Sequence, residues 1–212
     1  MKKLFALALL LSLSCFSQAA SKTVPLFNGK NLKHWQLPKN NAWEIKDGEL
    51  TPTAKTGYIW TKKDYSDFEL SLDFKMSEKC NSGVFFRTDP DNPVQGGFEV
   101  QIFDSTNKDE IGKHDCGALY DAVVPSENAA KPAGEWNHMD IRLKGSSVRI
   151  HLNGKKVVDV DLKDWKTARE NPDGSKNKFK TALSELPQTG RIGFQYHGHP
   201  VWFKNVKIAE LD

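Results

Sequence analysis

From Phe68 to Met76 the chain alternates: Phe68, Leu70, Leu72, Phe74 and Met76 are apolar, and Glu69, Ser71, Asp73 and Lys75 between them are polar. Successive side chains of a strand point to opposite faces, so this pattern specifies a strand with one face in a core and the other in water. Shorter runs of the same kind follow at Gly83 to Arg87, Phe98 to Phe103, His138 to Lys144, Ser147 to Leu152, Lys155 to Val160, Arg191 to Tyr196 and Val201 to Ala209. Asn153-Gly154 lies between two of them and suits the positive φ of a two-residue hairpin turn, and Gly145-Ser146 marks another tight reversal. Trp43-Glu44-Ile45, Asp47-Gly48 and Glu49-Leu50 read as a small hairpin near the start. Many short strands separated by turn residues predict an all-β sandwich or barrel, with Phe68, Leu70, Leu72 and Phe74 between two mainly antiparallel sheets.

Two stretches break the period. Asp104 to Ala133 is polar and rich in small residues, with one short strand candidate at Gly117 to Tyr120. Leu162 to Leu186 is charged, carries Asn171-Pro172-Asp173-Gly174 in its middle, and has a candidate helical turn or two at Trp165 to Glu170. Loops this long in a compact domain are usually functional or mobile.

The first twenty residues have a separate purpose. Lys2 and Lys3, a Leu-rich apolar run from Leu4 to Phe16, and Ser17-Gln18-Ala19-Ala20 form the three parts of a secretory signal. The apolar run is shorter than the roughly 20 residues of a membrane span. The expectation is cleavage and a periplasmic or secreted protein. A retained anchor ranks below this, and so does lipoprotein attachment at Cys15, because Ser12-Leu13-Ser14 fits that pattern poorly. Residues 21–212 then read as one domain. Its basic residues are interleaved with acids around a formal charge of +3, so no nucleic-acid or membrane surface is expected. Cys80 and Cys116 remain after cleavage, either bridged or as two separate buried thiols.

Chemistry is sought where strand faces carry long polar groups. Phe98, Val100 and Ile102 face one way, so Glu99 and Gln101 face the other. Ile192, Phe194 and Tyr196 likewise put Arg191, Gln195 and His197 opposite, and Arg87 shares a face with Phe85. A solvated outer face also alternates, but Gln, Glu, Arg and His donate and accept in fixed directions and suit a surface that holds hydroxyls. The expected site is a concave sheet face joining Arg87, Glu99, Gln101, Gln195 and His197. Asp104 falls on the wrong face by strict alternation and joins only if a bulge or the strand end turns it back. Gln101 stands between Glu99 and Asp104 and cannot be an acid, which weakens an ordinary two-carboxylate glycosidase. His197 and His199 flank Gly198 and are also a candidate metal pair.

LFNGKNLKHW, W-x-I-x-D-G-E-L, Y-S-D-F-E-L, NSGVFFRT, GFEVQIFD, GALYD, PAGEWNHMDI, LNGKKVVD, TGRIGFQYHG and VWFKNVKI occur in this order between about Val24 and Leu211. With them the chain resembles the 3-keto-disaccharide hydrolase domain family, whose activities are those of 3-keto-glucoside 1,2-lyases and 3-keto-2-hydroxyglucal hydratases. The resemblance implies a concanavalin A-like jelly-roll β-sandwich and a sugar substrate oxidised at C3. It also implies removal of the C2 proton, elimination at C1, and later hydration. Mapped on this sequence it implies His197 as base and Glu99 and Asp104 as acid or metal ligands. Arg87 and Gln101 become binders, and Tyr120, Lys144 and Gln195 line the pocket. A divalent metal ion would suit the enolate. Tyr196 stands where the family motif often has Asp or Asn, which puts the setting of His197 in question.

Two other readings stay open: a conventional glycoside hydrolase using Glu99 and Asp104, and a non-catalytic sugar-binding module with Trp60, Trp165 or Trp202 as platforms.

Overall fold

A computed structural model of the chain describes residues 22–37, 42–53 and 57–212. The predicted signal segment and Cys15 lie outside the described residues. Two antiparallel sheets face each other. The larger is built on β6 (Phe68–Met76), flanked by β9 (Trp136–Lys144) and β13 (Val201–Glu210). β10 (Ser147–Leu152) and β11 (Lys155–Asp161) extend it on one side, and β4 (Glu49–Pro52) and β3 (Trp43–Lys46) on the other, with β1 (Thr23–Phe27) also pairing with β13. The smaller sheet has the order β2 (Trp35–Gln36), β5 (Gly57–Thr61), β12 (Arg191–Tyr196), β7 (Asn81–Thr88), β8 (Phe98–Phe103).

The alternation in β6 is the reason for this architecture. Phe68, Leu70, Leu72, Phe74 and Met76 are all buried, and Leu70 sits between Ile141 of β9 and Ile208 of β13. Burying each such side chain stabilises by about 1.5–3 kcal/mol. The sheets meet through Phe194 of β12 and Phe203 of β13, whose rings stack at 4.0 Å and 5°. The Asn153-Gly154 turn has positive φ at both residues, as its sequence predicts.

Two local expectations are corrected, and one strand has no counterpart in the sequence reading. Trp165 to Glu170 is not helical; short 3₁₀ turns occupy Leu162–Asp164 and Leu183–Glu185 instead. Gly117 to Tyr120 is not a full strand, although Gly117 N–H, Ala118 C=O and Tyr120 N–H bond to β8 and cover its edge. Gly57–Thr61 is a strand with no period-two signal, because Ile59, Trp60 and Thr61 are all buried in succession. Cys80 and Cys116 are free buried thiols, each pushed up to about 12 by burial.

Candidate active site

β7 and β8 pair so that Gly83 lies opposite Gln101 and Phe85 opposite Glu99. A methyl group at Gly83 would meet the Glu99 carboxylate at 2.1 Å, so the missing side chain is what lets Glu99 lie across the neighbouring strand. Gly193 does the same on β12, where a methyl group would strike the Trp60 ring at 2.1 Å. Tyr58 stacks on Trp60 at 5.2 Å and meets Phe85 edge-on at 5.4 Å, and its hydroxyl accepts from Gln195 Nε2 at 3.1 Å.

Beside this aromatic corner is a cavity of about 170 Å³. Glu99, Gln101, Gln195 and His197 line it together, with Tyr120 from the first long loop. Three residues of two non-adjacent strands, with His197 just past the end of one of them, thus come to one place as strand parity predicts, and the loop supplies the fifth. Asn81, Phe85, Val94 and Lys178 complete the lining.

Three predicted residues are elsewhere. Arg87 is fully buried and directed at the larger sheet's loops. It donates to Ser66 O at 2.9 Å, Gly145 O at 2.8 Å, Gln188 Oε1 at 2.9 Å and Asp67 Oδ1 at 2.8 Å. The cause is a bulge: Arg191 pairs with Thr88 but Gly193 pairs with Phe85, and Arg87 has φ +47. An extra residue on one strand breaks the face count, so Arg87 leaves the face that Phe85 occupies. Lys144 sits at the end of β9, partly exposed, 3.8 Å from the same Asp67. Asp104 follows the end of β8. Its carboxylate accepts from Lys79 N–H at 2.8 Å and Thr106 Oγ1 at 3.4 Å, and it does not line the cavity. No bulge turns it back.

The electrostatics centre on Glu99. The residue is 8% exposed, and among the described residues no donor lies within hydrogen-bond distance of its carboxylate. Its one ionic neighbour is Lys178 Nζ at 3.9 Å. Burial pushes the Glu99 carboxyl up to about 7, against the pull of Lys178. Next to it Gln101 Nε2 reaches Asn81 at 3.4 Å, while the buried Gln101 Oε1 has no partner. A buried acceptor without a donor costs free energy that a ligand hydroxyl would recover. A larger depression of 270 Å³ on the outer face of the eight-stranded sheet also holds a buried atom without a hydrogen-bond partner, Arg149 Nε, but its charges are answered by ion pairs. There Arg142 is paired with Glu69 at 2.8 Å and Arg149 with Asp159 at 3.3 Å.

Lys178 was not predicted. It lies in the aperiodic Leu162–Leu186 stretch, and the length of that loop was its only signal. The candidate sugar platforms are mostly occupied: Trp60 and Trp165 are buried, and Trp202 lies under Lys75 Nζ at 4.8 Å.

A family profile described as the 3-keto-alpha-glucoside-1,2-lyase-like domain matches residues 22–209. A 3-keto-disaccharide hydrolase of Bacteroides thetaiotaomicron is 27% identical over 230 residues, covering 89% of this chain and 78% of that protein. Among solved structures, a Parabacteroides distasonis protein provisionally described as a glycosyl hydrolase superposes with TM-score 0.83 at 36% identity, over 90% of this chain and all of the other. A Bacillus subtilis protein with a galectin-like fold superposes with TM-score 0.58 at 15% identity, over 91% and 96% of the two chains, which shows a common fold.

Proposed function

The chain belongs to the 3-keto-alpha-glucoside-1,2-lyase-like domain family, and on that premise we propose that its cavity cleaves 3-keto-glycosides by elimination across C1 and C2. The ketone at C3 acidifies the C2 proton. His197, exposed at the cavity rim, takes that proton, and the C–H electron pair becomes an enolate. As the enolate collapses, the C1–C2 double bond forms and the bond from C1 to the aglycone oxygen breaks. Glu99 in its acid form donates a proton to the departing oxygen. The product is a 3-keto-2-hydroxyglucal. Hydration reverses the proton movements: water adds its oxygen to C1, Glu99 carboxylate accepts the water proton, and His197 returns a proton to C2. The sum is hydrolysis.

The observation that carries this reading is the buried, unbonded Glu99 carboxyl, which burial holds near neutrality. An ordinary carboxylate at this pH is a poor proton donor, and one held at about 7 is well matched to the task. Unpaired Gln101 Oε1 is placed to accept from a sugar hydroxyl. The two-carboxylate glycosidase has less support, because Asp104 does not line the cavity and, among the described residues, Glu99 is the one carboxylate that does.

A divalent cation is the other expectation from enolate chemistry. For it the cavity offers Glu99, Gln101 Oε1 and His197, and among the described residues no three His, Cys, Asp or Glu side chains form a group. The Lys178 ammonium, 3.9 Å from the Glu99 carboxyl, is a resident positive charge that opposes a cation there. These residues do not fit a resident divalent ion, and no step above runs through one. We assign the reaction to an exported, periplasmic or secreted protein on the strength of residues 1–20, which N-terminal sequencing of the mature protein checks.

The test compares a 3-keto-glucoside with the same glucoside unoxidised, followed by NMR. Turnover of the ketone alone is expected. Equal cleavage of the unoxidised glycoside overturns the proposal.

A further inference from the structure

We infer that Lys178 is a catalytic residue of this cavity, the group that holds the C3 oxygen as it becomes an enolate; the inference rests on the elimination reading above. Several lysines punctuate the same loop, and most behave as solvated charges: the Lys176 side chain is 81% exposed, whereas that of Lys178 is 22% exposed. The chain folds inward over Asn177–Phe179, both ends of which are buried, and is fastened there. Lys178 N–H donates to Asp121 Oδ2 at 2.5 Å, Gln95 Nε2 donates to Lys178 O at 3.1 Å, and Lys180 N–H donates to Gln95 Oε1 at 2.9 Å. Asp121 is itself gripped by Lys113 and His114, each at 2.9 Å, and has φ +61.

What is fastened is an ammonium with donors to spare. Nζ lies 4.1 Å from the Tyr120 ring centroid and 3.9 Å from Glu99, and among the described residues it has no hydrogen-bond acceptor. As a stabilising ion pair this is poor geometry, since the separation is too long for a hydrogen bond and both partners are largely dehydrated. As a preorganised donor it is good geometry. The positive charge is present before reaction, on a largely dehydrated ammonium that lines the cavity, where it can meet developing negative charge. The ammonium keeps its proton throughout: it donates an N–H to the C3 oxygen while the C2–H electron pair moves into the enolate. It thereby supplies the electrostatic help that a divalent cation would otherwise give.

The experiment separates enolisation from cleavage. Lys178→Ala and the wild type, both in the presence of chelator, are assayed for deuterium exchange at C2 of free 3-keto-glucose and for cleavage of 3-keto-glucosides with a good and a poor leaving group. Exchange and both cleavages should fall together by at least about 100-fold, the usual effect of losing one oxyanion donor. Ethylammonium added to Lys178→Ala should restore part of the exchange, which a purely structural lysine would not show. Should that variant fail to fold, Lys178→Arg, which keeps the charge, is assayed the same way and should retain exchange in preference to Lys178→Gln. Loss confined to the poor leaving group would make Lys178 a leaving-group donor and overturn the inference. So would unchanged exchange, or a wild type that chelator silences. A wild type that neither exchanges nor cleaves removes the elimination reading itself, whereas an active wild type with an unimpaired variant removes only Lys178.

Discussion

Replacing Arg87 by Met tests whether the structure has read that residue correctly. The guanidinium is fully buried and donates four hydrogen bonds, to Ser66 O, Gly145 O, Gln188 Oε1 and Asp67 Oδ1. Methionine keeps much of the stem and removes every donor. Simple addition of four charge-assisted bonds would overshoot, because some acceptors regain water: the Asp67 side chain is already 23% exposed. Breaking one partner out of a buried ion pair costs about 3–5 kcal/mol, and we take that figure for the net loss. At about 2–4 °C per kcal/mol for a domain of this size, the melting temperature should fall by about 6–20 °C. Calorimetry measures it. Turnover per folded molecule on a 3-keto-glucoside should be unchanged, since Arg87 does not line the cavity. A melting temperature within a degree or two of wild type, with KM raised about tenfold or more, a loss of about 1.4 kcal/mol in binding, would refute the reasoning and return Arg87 to the substrate.

His197→Ala should lose at least about 100-fold in turnover while staying folded, as loss of a general base at an exposed position implies; normal turnover would end its role as base. Glu99 makes a pH prediction. Its folded-state value of about 7 lies above the ordinary 4.5, so its contribution to stability is full below pH 4.5 and lost as pH rises through about 7. Glu99→Gln should remove that decline, on the order of 3 kcal/mol across the window, and should abolish a basic limb near pH 7 in cleavage of poor leaving groups. Parallel denaturation curves for the two proteins at pH 5 and 8 would contradict this. Gly83→Ala should leave the fold intact but displace Glu99, whose carboxylate a methyl group meets at 2.1 Å; the expected signature is lost cleavage with an unchanged urea midpoint.

How far the sequence shows these things depends on what holds each residue. Strands whose neighbours bury one face, such as β6 and β10, appear in the sequence almost residue for residue, because the core imposes period two on them. Strand β5 does not, because Ile59, Trp60 and Thr61 are buried on both faces. Glu99, Gln101, Gln195 and His197 could be brought together by parity alone. Arg87 could not be placed, since one bulge residue of positive φ resets the count and no local signal announces it. Asp104 lies just past a strand end, where parity lapses. Lys178 is positioned by Asp121 and Gln95, side chains distant in the sequence, and a loop fastened in this way has no period to read.

Gly83 and Gly193 give the cavity a genetic property. Its depth on two neighbouring strands is made of absent methyl groups, and every single-nucleotide missense change at a glycine codon adds a side chain. At Gly83 the obstructing atoms belong to the flexible Glu99 side chain, so a newcomer there can be accommodated by a sheet that still folds. The lineage can thus lose the proposed chemistry in one step while keeping a sugar-sized hollow. Drift at this position runs from enzyme toward inert scaffold, and selection against it acts on catalysis rather than on foldedness.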